Sequence, residues 1–160
     1  MNVTIKRNAS ELGKAAGTKA AKIIKEAIDE KGSAAVILAT GSSQFETLRT
    51  LTEDKAIAWD KVTMFHLDEY IGLPITHKAS FRKYLMERFI SKVSPLKAVH
   101  LINGENDPQA ECKRLSELIT SQSIDAALVG IGENGHLAFN DPPADFVTEA
   151  PYIIANLDHT

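Results

Sequence analysis

The chain has 160 residues, 44% of them hydrophobic, enough to bury one substantial core and too few for two independent domains. Its 18 basic and 21 acidic residues are scattered and leave a net charge of −3, which excludes the footprint of a nucleic-acid or anionic-membrane binder, so an anionic ligand has to be held by local groups. One cysteine, Cys112, excludes an intramolecular disulfide, no Cys/His spacing suits a zinc site, and neither a signal peptide nor a membrane-spanning run of roughly 18 apolar residues is present, so one soluble, cytoplasmic domain over residues 1–160 is expected.

In chain order, a short apolar lead with Val3 and Ile5 suggests a first strand close to Met1. Ser10 then reads as the cap of a helix whose apolar positions Leu12, Ala16, Ala20, Ile23, Ile24, Ala27 and Ile28 recur at helical spacing until Gly32 stops it. The unbroken apolar run from Ala34 to Ala39 predicts a strand buried on both faces, followed by the loop Thr40-Gly41-Ser42-Ser43 and a helix carrying Phe45, Leu48 and Leu51. Val62 to Leu67 repeats the pattern, running into Asp68-Glu69-Tyr70 and then a helix from Ser80 that buries Phe81, Tyr84, Leu85 and Phe89. Val99 to Ile102 predicts a short strand, Asp107-Pro108 a helix start, Ala126 to Ile131 a further buried strand, and Tyr152 to Ala155 the next one. Strands alternating with helices predict an α/β fold with a mainly parallel, Rossmann-like sheet flanked by helices.

In such sheets ligands gather beyond the carboxyl ends of the strands, and the segments there are unusually polar. Thr40 to Ser43 sets hydroxyls and a glycine at a helix start, where unpaired N–H groups favour phosphate; Ser42 or Ser43 acting merely as a cap is the competing reading. Asp68 and Glu69 are adjacent at a strand end, so their side chains should point apart and only one can enter a cleft; an ordinary solvated acidic turn is the alternative. Gly130, Gly132 and Gly135 surround His136, with Asn134 before it and Asp141 after it as groups able to orient the imidazole; a purely structural histidine is the alternative. His66 reads as a core residue, His100 as part of a short strand, His159 as a chain-end residue, and Cys112 as a small packing residue on a helix.

Two long motifs in the right order carry a resemblance. Asp68-Glu69-Tyr70-Ile71-Gly72-Leu73-Pro74, followed by His77 and Ser80-Phe81, resembles the DEYxGLP signature of the glucosamine-6-phosphate deaminase/isomerase family, and Gly130-x-Gly132-x-Asn134-Gly135-His136-x-Ala138-Phe139-Asn140 resembles its GxGxNGHxxFN signature. The resemblance implies conversion of glucosamine 6-phosphate and water into fructose 6-phosphate and ammonia, with a sugar phosphate as the small-molecule partner and no obligatory cofactor or metal. It further implies that Thr40, Gly41, Ser42, Ser43 and Gly132 bind substrate and phosphate, that Asp68 moves a proton between C2 and C1 through an enolamine, and that His136 opens the sugar ring with help from Asn134 and Asp141. Whether the protein is a homo-oligomer stays open.

The acidic residue after Phe139-Asn140 is Asp141, where the family commonly has glutamate, shorter by a methylene group; a gluco or a galacto substrate is therefore open. The chain resembles the first two-thirds of a deaminase and stops before the later segment from which the family draws basic phosphate ligands. A 6-phosphogluconolactonase shares the fold but continues from its histidine as a GHxxSLFP-like sequence, unlike Gly135 to Asp141 here. A non-catalytic sugar-phosphate sensor would lack the set Asp68, His136 and Asp141 and would carry an N-terminal helix-turn-helix.

Overall fold

The computed structural model describes residues 2–93, 95–140 and 143–157. Helix α1 (Ala9–Lys31) opens on Asn8, whose extended backbone lets its side-chain oxygen accept from the Glu11 N–H at 2.9 Å, and it closes on Gly32. Ser10, the expected cap, lies inside the first turn instead. Among the described residues no strand precedes α1: residues 2–6 have no regular structure, and Val3 and Ile5 are exposed.

Strand β1 (Ala34–Leu38) leads through a 3-10 turn (Ser42–Gln44) into α2 (Phe45–Glu53), and β2 (Val62–His66) follows. Ser80 caps α3 (Phe81–Leu85), its hydroxyl accepting from the Lys83 N–H, and a π turn (Met86–Ile90) carries the chain into α4 (Ser91–Val93). Strand β3 (Ala98–His100) precedes α5 (Pro108–Thr120), which Asp107 caps by accepting from the Ala110 N–H at 2.9 Å, and β4 (Ala126–Leu128) completes the sheet. Residues 152–155 form no strand. The Tyr152 hydroxyl instead donates to the carbonyl of His66 at 2.8 Å, which lays this segment across the end of β2 rather than along a sheet edge.

The four strands are parallel and ordered β3-β2-β1-β4. The chain moves outward from β1 through β2 to β3, then returns to the far side of β1, so the direction of winding reverses between β1 and β4. Right-handed crossovers then put α2 and α3 on one face of the sheet and α5 on the other. The packing agrees. Val36, Leu38, Val62 and Met64 share one core with Ile24 of α1, Leu48 and Leu51 of α2, and Leu85 and Phe89. Phe65, next to Met64 and so on the opposite face, meets the tilted ring of His100 at 4.8 Å, and Leu115 of α5 is buried outside the first core. His66 is fully buried, and desolvation together with the Arg82 charge lowers its pKa to about 3, so it stays neutral. Among the described residues no helix is long and apolar enough to cross a membrane.

Helices α1 and α2 meet where α1 has glycine. A β-carbon at Gly17 would stand 2.7 Å from Thr50 Cβ and 2.9 Å from the Thr47 carbonyl oxygen, inside contact distance, so the close crossing requires the missing side chain. Gly17→Ala is therefore expected to lower the unfolding free energy by about 1–3 kcal/mol. The sign is opposite to the gain of roughly 1 kcal/mol that alanine has over glycine in an exposed helix. Urea denaturation of the two proteins reads that sign; a stabilised variant would mean that the helices do not cross this closely.

Candidate active site

The reversal between β1 and β4 opens a crevice at their carboxyl ends, the usual ligand position in an open parallel sheet. The loop after β1 enters it first. Ala39 extends the pairing by donating to the Leu128 carbonyl at 3.0 Å, and the chain then turns so that the Gly41 carbonyl accepts from the Gln44 N–H at 3.1 Å and from the Tyr84 hydroxyl at 2.9 Å. The cap positions of the 3-10 turn and of α2 belong to Gly41 and Gln44, with no side-chain cap at either. Capping therefore does not account for Ser42 and Ser43.

The loop after β2 separates its two carboxylates as the alternation at a strand end requires. Glu69 turns inward and accepts from the Ser80 hydroxyl and from the N–H groups of Phe81 and Arg82, at 3.1, 3.1 and 2.8 Å. Asp68 turns to the crevice. Burial raises its pKa to about 6, the Glu69 charge pushes the same way, and His136 opposes both.

The loop after β4 folds back on itself. Ile131 and Leu137 form an antiparallel bridge, the Gly132 N–H donates to the His136 carbonyl at 2.9 Å, and the Gly135 N–H donates to the Gly132 carbonyl at 3.0 Å. The imidazole lies directly over Gly132, where any β-carbon would overlap the ring. Asn134 Oδ1 accepts from the His136 N–H at 3.2 Å and also meets His136 Nδ1. The backbone N–H can only donate, so it fixes the amide oxygen toward the ring. An amide oxygen can only accept, so Nδ1 carries the proton and Nε2 is the acceptor nitrogen of the neutral imidazole. Two residues on, Ala138 has φ 54°, a left-handed conformation that costs a non-glycine residue about 1–2 kcal/mol. Phe139 then packs on Tyr70 at 4.8 Å and on Phe81 at 5.5 Å, joining this loop to the loop after β2 and to the start of α3.

Together the three loops enclose a cleft of about 240 Å³ lined by Thr40, Gly41, Ser43, Asp68, Gly132 and His136. Two expected site residues are not part of the lining: Ser42 is exposed beside it, and Asn134 holds the imidazole by its Nδ1 side. The Gly132 N–H is committed to the His136 carbonyl, so this glycine shapes the cleft by leaving room for the ring. Asp141, expected as a second orienting group, and His159 lie outside the described residues. The motifs contained Phe81 and Phe139, which also line the cleft; sequence reasoning took Phe81 as a buried helix residue and gave Phe139 no role, so their place in the wall was missed. A larger cavity of about 630 Å³ shares Asp68 and Phe139 with the cleft and extends past Asn103, Cys112 and Tyr152. Among the described residues no three His, Cys, Asp or Glu side chains converge as metal ligands would.

The family model of glucosamine-6-phosphate isomerases/6-phosphogluconolactonase matches residues 7–153. A glucosamine-6-phosphate deaminase of Exiguobacterium sp. is 39% identical over 143 residues, covering 89% of this chain and 54% of that protein. The enzyme of the same name from Lactobacillus delbrueckii subsp. bulgaricus is 36% identical over 151 residues, covering 92% and 62%. The chain thus spans between about half and three-fifths of the length of these curated relatives. The solved structure of a monomeric glucosamine-6-phosphate deaminase superposes with a TM-score of 0.81 at 32% identity, over 92% of this chain and 62% of that one. A 6-phosphogluconolactonase from Thermotoga maritima superposes with a TM-score of 0.73 at 23% identity, over 84% and 61%, a likeness of fold.

The raised pKa of Asp68 carries a sign that stability can read. Its folded value lies above the unfolded one, so ionising it costs folding free energy: the cost is absent below the unfolded pKa near 4 and complete above about pH 6. Asp68→Asn is expected to stabilise the protein at pH 8 by about 1–3 kcal/mol and to leave it nearly unchanged at pH 4. Urea denaturation at the two pH values makes the comparison, and an equal effect at both would place Asp68 in solvent.

Proposed function

The chain belongs to the glucosamine-6-phosphate isomerase/6-phosphogluconolactonase family, and from that premise we propose that the protein carrying it isomerises and deaminates an amino-sugar phosphate, taking glucosamine 6-phosphate and water to fructose 6-phosphate and ammonia. The observation that carries the reading is the pairing of Asp68, whose pKa is raised to about 6, with His136 in one cleft. Isomerisation needs a base of near-neutral pKa that reaches two adjacent carbons, and ring opening needs a group that accepts a hydroxyl proton near neutral pH. The carboxyl and the imidazole fit those two tasks.

In this proposal the phosphate lies against Thr40, Gly41 and Ser43 of the cleft lining, with Ser42 beside them, where the backbone turns toward the start of α2 and N–H groups favour an anion. His136 Nε2 takes the proton of the anomeric hydroxyl and returns it to the ring oxygen, giving the open-chain aldehyde. Asn134, and Asp141 beyond the described residues, hold the imidazole in the required tautomer. Asp68 then removes the C2 proton and delivers it to C1. As the enolamine forms between these steps, a proton passes from the C2 ammonium group to O1, and protonation at C1 leaves a C2 imine, which water hydrolyses to the ketose phosphate and ammonia. Gly132 gives the ring its space, and Phe81 and Phe139 close the cleft on its apolar side. A phosphorylated substrate, with the single cysteine, supports a cytoplasmic setting.

Asp68→Asn should abolish exchange of the C2 proton of glucosamine 6-phosphate with solvent, a loss of at least about 10²–10⁴ in rate. Deuterium incorporation followed by NMR checks it, and near wild-type exchange would make Asp68 a structural residue. His136→Gln has a directional signature, because an open-chain substrate does not need ring opening. The forward reaction on the pyranose is expected to fall more than the reverse reaction from ketose phosphate and ammonia, measured by ammonia release and uptake. Equal losses in both directions would leave His136 without a ring-opening role. Galactosamine 6-phosphate and 6-phosphogluconolactone, offered in parallel, test the substrate.

A further inference from the structure

The acid next to Asp68 has no place in the cleft, yet its side chain is fully buried (0% exposed) and saturated with donors. Glu69 Oε1 accepts from the N–H groups of Tyr70 and Phe81 at 2.9 and 3.1 Å, while Oε2 accepts from the Ser80 hydroxyl at 3.1 Å and the Arg82 N–H at 2.8 Å. Behind it stands the Arg82 guanidinium, 3.6 Å from Oε2 at Nε and itself almost fully buried. That guanidinium donates onward to the Leu73 carbonyl at 2.9 Å, to Glu105 at 2.8 Å and to Asn103. Glycine at position 104 closes the other side: the Gly72 N–H donates to its carbonyl at 2.6 Å, and a β-carbon there would overlap the Tyr70 carbonyl. The loop after β2 is therefore bolted to the first turn of α3 and to the loop after β3 through one carboxylate.

We propose that Glu69 is the positioning residue for Asp68: its anchored carboxylate fixes the backbone on which Asp68 stands and sets its charge beside it. This deepens, and rests on, the reading of Asp68 as the base that moves the proton between C2 and C1. A base serving two carbons must hold its place to within a fraction of an ångström, and a loop tied at both carboxylate oxygens supplies that rigidity. A neighbouring negative charge makes the Asp68 carboxylate a stronger base, in line with the direction of its pKa. Among the described residues the charged and titratable groups around the pair are few. Asp68 faces Glu69 in its own loop and His136 from the loop after β4; Glu69 faces Arg82 of α3, which pairs with Glu105 from the loop after β3. His66 at the end of β2 is buried and neutral.

The test uses Glu69→Gln, which keeps one acceptor oxygen and removes the charge, because Glu69→Ala would strand four donors in the interior. Asp68 is titrated by carboxyl 13C NMR without substrate, and C2 proton exchange is measured on glucosamine 6-phosphate. In Glu69→Gln the Asp68 midpoint is expected to fall by about half a unit or more. Exchange at saturating substrate should fall by about 10- to 100-fold while KM changes by less than about threefold. Glu69→Asp, which restores the charge without the reach, should return the midpoint toward the wild-type value and leave exchange slow. A Glu69→Gln midpoint within about 0.2 unit of wild type, or a Glu69→Asp midpoint as low as that of the glutamine variant, overturns the proposal whatever the rates do. A wild-type protein that exchanges no amino-sugar phosphate proton overturns the catalytic reading alone, since the midpoints are read without substrate.

Discussion

Leu38 pairs with His66 on one side and with Leu128 on the other, so β1, β2 and β4 reach one level at their carboxyl ends. A parallel ladder carries each strand's level to its neighbour through backbone hydrogen bonds, and a slip of one residue would turn every side chain to the opposite face. The three polar loops therefore leave the sheet side by side, and the reversal of winding between β1 and β4 parts two of them enough to admit a ligand. The Ala39–Leu128 and Leu67–Leu38 hydrogen bonds, at 3.0 and 3.1 Å, continue the pairing into the loops and pass the rigidity of the sheet to Thr40 and Asp68.

Around this edge the protein holds several arrangements that lower stability. Asp68 is ionised in a partly desolvated cleft, Ala138 sits in the left-handed region, and His66 Nε2 and Arg82 Nε are buried without hydrogen-bond partners among the described residues. Each costs on the order of 1–3 kcal/mol. They lie at or directly behind the cleft, while the core of α1, α2, β1 and β2 shows apolar packing of small and branched side chains. Stability supplied by that core offsets local cost where chemistry needs an awkward charge or a sharp turn.

The two titratable residues of the cleft owe their readiness to opposite devices. Asp68 is tuned by exclusion of water and by a like charge, both of which favour the protonated acid. His136 is tuned by orientation: one amide oxygen meets both its backbone N–H and its Nδ1, so the ring's tautomer follows from the geometry of a four-residue turn.

The sequence by itself determined the α/β class, the helices behind Leu48 and Leu115, the strands through Val36, Met64 and Ala127, and the three loops where polar residues collect, because these follow from apolar periodicity and from turn residues at fixed spacing. It also determined that Asp68 and Glu69 diverge, since alternation at a strand end is local. Only the tertiary structure decided the rest. Asn8 rather than Ser10 caps α1 because the extended backbone needed for capping falls at Asn8. Residues 152–155 cross the end of β2 because the Tyr152 hydroxyl finds the His66 carbonyl there, a contact between positions far apart in the chain. The motif resemblance already put Asp68 in the site, but that Glu69 becomes the buried anchor depended on Ser80, Phe81 and Arg82 arriving beside the loop after β2. That arrival is set by the docking of α3, and the spacing of residues along the chain carries no record of it.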